Sequence, residues 1–236
     1  MSSCYRRVSV IALLAFLLLP ILASAVPITF DLVGQVDSVS DPAGILAGAG
    51  VPVAVGDTFT GSYTFESTTP DGNPAASLAQ YFVMGAPYGF SVNMGGATYS
   101  YTTGGSPSVH ITVGNNNPTM DTYGVSRISP IDVVSTATFP SIAWMDMMFT
   151  LMDTTGAVFS DTNLLLTPPT LSDFNINSFL LIGNTGTTDP PGFSISGRLT
   201  DLTLHGAGDP VIPEPCTLVL LGLGSMGLAS RRRRRG

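Results

Sequence analysis

Thr58-Phe59-Thr60-Gly61-Ser62-Tyr63-Thr64-Phe65 alternates without a break. Phe59, Gly61, Tyr63 and Phe65 fall on one side of an extended chain; Thr58, Thr60, Ser62 and Thr64 fall on the other. A period of two is that of a half-buried β-strand. The same pattern occurs upstream, where Ile28, Phe30 and Leu32 oppose Thr29 and Asp31. Downstream, residues 66–74 (ESTTPDGNP) are a turn-rich loop.

Further strands are expected at residues 79–84, 88–94, 98–101, 109–113, 123–128 and 178–183, with a turn at 114–118 (GNNNP). Residues 142–152 (IAWMDMMFTLM) are apolar on both faces except at Asp146 and Thr150, which predicts a central strand with Trp144 in the core. Asp153-Thr154-Thr155-Gly156 should turn that strand back into Ala157-Val158-Phe159 as a hairpin. In residues 193–204 the apolar phase slips from Phe193, Ile195 and Leu199 to Leu202 and Leu204. A bulge near Thr200 and Asp201 would restore the register. Residues 171–177 hold one short helical turn, with Ser172 as its cap. Short strands throughout, no internal repeat and abundant Gly, Pro, Ser and Thr give an all-β chain. The expected architecture is a two-sheet, jelly-roll-like β-sandwich.

Both ends stand apart from this domain. Arg6 and Arg7, an apolar stretch at 8–22 and Ala23-Ser24-Ala25 form a secretory signal peptide over residues 1–25, with Val26 first after cleavage between Ala25 and Val26. Residues 210–236 form a sorting tail with one short membrane helix. Pro213-Glu214-Pro215 is a rigid acidic turn, residues 216–230 are apolar but interrupted by Gly222, Gly224 and Gly227, and Arg231, Arg232, Arg233, Arg234 and Arg235 follow. A spanning helix takes about 20 apolar residues. The stretch here is shorter and weakened by glycine, so it suits a temporary anchor. Both arginine groups should stay cytoplasmic, leaving residues 26–209 outside as the exported domain.

The tail closely resembles the PEP-CTERM sorting signal of bacterial exported proteins, through Pro213, Glu214, Pro215, Thr217, the apolar run and Arg231 to Arg235. The resemblance covers about a tenth of the chain. It implies recognition by an integral-membrane exosortase and processing near the Pro-Glu-Pro, in bacteria that make extracellular polysaccharide. Cys216 stands where a small hydroxyl residue is more usual. Lipidation or thioester chemistry there stays open beside a plain apolar role. Residues 55–74, 171–174 (LSDF) and 196–204 (SGRLTDLTL) are similar to a pattern in uncharacterised proteins of this kind. The implied partners are the Sec translocon, signal peptidase, the exosortase-type enzyme and the inner membrane. The implied destination is the cell surface or the extracellular space.

Charge limits what the exported domain binds. The whole chain carries a formal charge of −7. Outside the sorting segments only Arg127 and Arg198 remain, against fifteen acids, and there is no lysine. Such a surface repels nucleic acid and anionic lipid and admits cations and neutral glycans. The exported domain has no cysteine, which excludes a disulfide scaffold.

No catalytic signature stands out. His110 and His205 read as surface or edge-strand imidazoles, and neither G-x-S-x-G nor H-E-x-x-H occurs. Asp146, Glu66, Asp161 and Asp173 are the acids from which a glycosidase-like pair could be drawn. No cofactor is required. Calcium is the one metal the loops would admit, at Asp37, Asp41, Asp71 and Asn73, with 115–117 as a third oxygen-rich segment; ordinary turn chemistry accounts for the same residues. Tyr81, Tyr88, Tyr123 and Trp144 could stack on sugars, and Tyr99 and Tyr101 share one strand face as an exposed glycan-binding pair. The expectation is a non-enzymatic surface or extracellular-matrix protein that binds polysaccharide. A secreted glycan hydrolase or lyase is the alternative.

Replacing Arg231–Arg235, or the Pro-Glu-Pro, is expected to leave unprocessed precursor in the inner membrane, as read by fractionation and immunoblotting. Normal processing of both variants would remove the sorting assignment.

Overall fold

The computed structural model describes residues 26–103, 106–126, 132–186 and 191–206. The expected signal peptide and the expected membrane helix of the tail lie outside these residues. Eleven strands are described: β1 (Pro27–Ser40), β2 (Thr58–Glu66), β3 (Leu78–Met84), β4 (Gly89–Met94), β5 (Ala97–Thr103), β6 (Ser106–Gly114), β7 (Asp121–Ser126), β8 (Asp132–Ser135), β9 (Trp144–Asp153), β10 (Ile176–Asn184) and β11 (Phe193–Leu204). A short helix α1 (Ile45–Gly48) and a 3-10 turn (Leu171–Asp173) complete the set. The all-β class read from the sequence holds.

All the strands belong to one antiparallel sheet in the order β3-β6-β7-β9-β10-β11-β1-β2-β4-β5-β8. β5 also meets β6, through Thr102 opposite Pro107 and Thr103 opposite Ser106. The sheet therefore closes on itself, with β3 lying outside β6 and β8 outside β5. This corrects the expectation of two separate sheets: one continuous sheet folds so that its inner faces meet. Six of the ten connections between the described strands join neighbouring strands, and the four to and from β3 and β8 cross over. The joint is β1, which pairs with β11 on one side and β2 on the other.

Bending that joint takes bulges. Val33 pairs with Asp201 but Gly34 pairs with Leu199, so Thr200 is the extra residue, where the phase slip placed it. A second irregularity lets Val36 face Gly197 and Ser38 face Ser196, leaving Asp37 out of the ladder. At the first bulge the Phe59 ring lies over Gly34, its direct partner on β2. No side chain would fit beneath it. Phe193 covers its partner Gly183 in the same way.

The inner faces form an aromatic core. Phe59, Tyr63 and Phe65 of β2 are buried, as the alternation requires, and so are Phe30, Leu32 and Val36 of β1. Phe90 packs edge-on to Phe149 at 6.0 Å between ring centres, joining β4 to β9. Tyr63 and Tyr123 reach from β2 and β7 to share a hydrogen bond of 2.8 Å at the centre. Burial pushes both hydroxyls well above the usual tyrosine range, with the neighbouring phenol adding to the rise at Tyr63. Both stay protonated, and each satisfies the other.

Several local expectations are corrected. Residues 157–159 form no return strand, because the Val158 and Phe159 amides donate to the Asp121 carboxylate (2.7 Å each) instead of entering a ladder. Ser172 lies inside the 3-10 turn; Thr170 precedes it and makes no side-chain cap. β9 is central as expected, but Met145, Met147, Phe149 and Leu151 face the core while Trp144 is half-buried on the other face. β8 and α1 carry no periodic signal.

Tyr63→Phe or Tyr123→Phe leaves the other hydroxyl buried and unpaired, at an expected cost of about 1–3 kcal/mol. The double variant should cost less than the two singles together. Urea unfolding of the four proteins measures this, and strict additivity would show that the pair is not coupled.

Candidate functional site

The outward face of β2, β4 and β5 is a lattice of hydroxyls. Ser62 pairs with Ser91, which pairs with Ser100. Thr64 and Thr102 occupy the next outward positions on β2 and β5, with Gly89 between them on β4. Alternation forces this arrangement: the residues between them, Tyr63, Phe90 and Tyr101, are buried.

Over this lattice lies a trough of about 260 Å³. Its floor is Ser62, Thr64, Ser91, Ser100 and Thr102, and its rim is Ala86, Pro87, Tyr88 and Pro107. The rim is fixed by backbone bonds: Gly85 N donates to Pro107 O and Tyr88 N to Gly85 O, both at 2.8 Å. Tyr88 is half-buried and packs partly on the core. None of the floor and rim residues carries a charge. Hydroxyls both donate and accept hydrogen bonds, and a tyrosine face receives the C–H surface of a sugar ring. The chemistry suits a neutral polyhydroxylated ligand.

The expected exposed pair, Tyr99 and Tyr101, is corrected. Both are buried, because β5 turns its odd-numbered residues inward. Tyr99 Oη has no hydrogen-bond partner among the described residues, and burial pushes its hydroxyl up to about 12. Tyr101 Oη donates to Asp146 Oδ1 at 3.4 Å. Tyr81 is also buried and donates to Thr162 O at 2.7 Å. Of the tyrosines that the sequence offers as sugar platforms, Tyr88 is the one on the rim of the trough. Its signal in the sequence was the Ala86-Pro87 turn beside a serine- and threonine-rich strand pair.

The acidic candidates do separate jobs. Asp37 pairs with Arg198 on the surface. Asp41 accepts the Ile45 and Leu46 amides (2.7 and 2.9 Å) and so starts α1. Asp71 accepts Asn73 N and Gln80 N, and Asn73 accepts Ala75 N. Glu66 ends β2 and accepts from the Thr68 hydroxyl; Asp161 accepts Asn163 N; Asp173 lies in the 3-10 turn. Asp146 lies on β9 and accepts from Met147 N at 2.9 Å. Among the described residues no three His, Cys, Asp or Glu side chains come together as metal ligands. His205 is exposed and bonds Asp31 at 2.6 Å. His110 corrects its expectation: it is buried on β6, which runs between β3 and β7, with Nδ1 3.2 Å from Ser126 Oγ.

Two further acids, Asp121 and Asp153, are buried opposite each other on β7 and β9. Asp121 accepts the amides of Asn116, Val158 and Phe159. Asp153 accepts Ala157 N, Thr155 N and the Thr155 hydroxyl. Together they hold the segment that follows β9 against the core. The Ala157 amide, and then the Thr155 hydroxyl and amide, hold the Asp153 carboxyl below the usual range. In sequence Asp153 reads only as the first residue of a turn, and nothing local marks Asp121.

Residues 211–235 match the PEP-CTERM protein-sorting motif. No curated protein and no solved structure matches the chain. Among the described residues no helix is long and apolar enough to cross a membrane. The motif makes the chain an exported protein whose tail is consistent with processing by an exosortase at the membrane.

Asp153 binds its proton more weakly folded than unfolded. Stability should therefore rise with pH between the two pKa values and be lost as pH falls through the folded one. Asp153→Asn is expected to be less stable at neutral pH and to show a shallower acid limb. Unfolding midpoints between about pH 2 and 6 measure both; parallel acid limbs would place the acid sensitivity on other carboxylates.

Proposed function

We propose that this protein is a non-catalytic component of the cell surface or extracellular matrix, and that it binds neutral polysaccharide along the trough beside Tyr88. The reading rests on one observation: a lattice of serine and threonine hydroxyls, flanked by a half-buried tyrosine, on the outside of a strongly acidic domain. Hydrogen bonds from the hydroxyls would select a polyhydroxylated chain, and Tyr88 would supply apolar contact area at low entropic cost. The acidic surroundings disfavour anionic chains.

The route follows from the two ends. Sec export and removal of residues 1–25 would place residues 26–209 outside. The tail would hold the precursor in the inner membrane until an exosortase processes it near Pro213-Glu214-Pro215. No metal or other cofactor enters this reading; both oxygens of Asp41, Asp71 Oδ1 and Asn73 Oδ1 accept backbone amides. A hydrolase would need two of Glu66, Asp146, Asp161 and Asp173 in one cleft; Asp146 lines a groove over β6, β7 and β9 without any of the other three, and none of the four lines the trough beside Tyr88.

The test is affinity electrophoresis of the full-length chain in detergent through gels containing neutral or acidic polysaccharides, with calcium and with chelator. Retardation by a neutral polymer in both conditions is expected, and Tyr88→Ala should weaken it about tenfold, the size of one good contact. Retardation only by acidic polymers, or cleavage of the polymer, would overturn the reading.

A further inference from the structure

We propose that the chain carries a second glycan groove on the opposite face, and that one molecule therefore cross-links two neutral polysaccharide chains. The inference rests on the trough beside Tyr88 being a glycan site. The second groove, of about 370 Å³, lies on the outer face of β6, β7 and β9. Thr112 of β6 pairs with Gly124 of β7, which pairs with Thr150 of β9. Gly124 has no side chain, so this row is a channel with a threonine on each wall. Thr122 and Ser126, two residues to either side along β7, share its face and also line it. Adjacent strands lie about 4.8 Å apart, so the wall residues stand about 10 Å from each other. That is room for one extended chain.

The ligand chemistry repeats that of the trough. Four hydroxyls line the channel, and the charged group at its side is the carboxylate of Asp146. A carboxylate accepts hydrogen bonds from sugar hydroxyls and repels acidic sugars. The occupant is therefore a neutral chain. Asp146 Oδ1 is held by Met147 N and by the hydroxyl of Tyr101, a residue of β5 that also lines the trough.

The two grooves face away from each other for a structural reason. Inward side chains of β2 and β4 meet those of β7 and β9, through Tyr63 with Tyr123 and Phe90 with Phe149. Outward side chains of the same strands then point away from one another, while β6 reaches both grooves, with Pro107 at the trough and Thr112 at the channel. A ligand in one groove leaves the other open, and two chains can be held across one core.

Titration calorimetry of the full-length protein with short neutral oligosaccharides is the test, paired with the viscosity of a long neutral polymer. The wild type should bind two oligosaccharides per chain and raise the viscosity. Gly124→Val fills the channel floor, and Tyr88→Ala weakens the trough about tenfold, below what calorimetry with a short oligosaccharide detects; each should leave one detectable site and abolish the viscosity increase, and the double variant should show none. If Gly124→Val does not fold, Thr112→Lys with Thr150→Lys closes the channel from its walls. One site per wild-type chain, lost in Tyr88→Ala and untouched by the channel variants, would overturn this inference and leave the proposed function standing. One site lost only in the channel variants, or no binding, would overturn both.

Discussion

Pairing of β11 along almost the whole of β1 brings the two ends of the described chain together, and the sheet cannot close without it. A strand that faces solvent on one side and the core on the other must find neighbours on both edges or leave its backbone groups open. β1 meets β11 and β2, and the ring then runs through to β5 and β6. Two strands, β3 and β8, remain outside. Asp71 and Gly72 cover part of β3 by bonding Gln80, and β8 is only four residues long. The bulges at Thr200 of β11 and Asp37 of β1 each add a residue to one strand of this pair, which bends it and raises its twist.

Closure of the sheet over a single core has a consequence for the surface. The buried tyrosines and phenylalanines of β2, β4 and β5 alternate with serine, threonine or glycine on the outside. The core is aromatic and tightly interlocked, and its central Tyr63–Tyr123 bond is a polar contact that ties β2 to β7. The outer faces are short hydroxyls in register. Such faces are flat and adaptable, and they hold a shape only because the layer beneath them is rigid. The hydroxyl faces are thus a by-product of the same alternation that builds the interior.

Carboxylates serve here chiefly as fasteners. Asp41, Asp71, Asp121, Asp153 and Asp161 each accept backbone amides that no ladder reaches. Asp121 and Asp153 do so while buried, and the irregular segment beyond β9 packs because they supply acceptors for its amides. The excess of acids outside the sorting segments is in this sense partly structural.

The period-two pattern determined the class of the fold and most of its strands. Residues 28–32, 58–65 and 109–113 could be assigned because one face of each is apolar without interruption, and the phase slip located the bulge at Thr200. The sorting tail was equally legible, since its order of turn, apolar run and arginines is a local property. Partners distant in sequence decided the rest. Which face of β5 turns inward depends on β4 and β8 beside it, so Tyr99 and Tyr101 could not be told from an exposed pair. The Asp121 bonds to Val158 and Phe159 join residues far apart in the chain, so the local pattern after β9 reads as a hairpin strand that does not form. Local periodicity fixes which residues share a face; only the closed sheet fixes which face meets the core, and with it where the hydroxyl troughs lie.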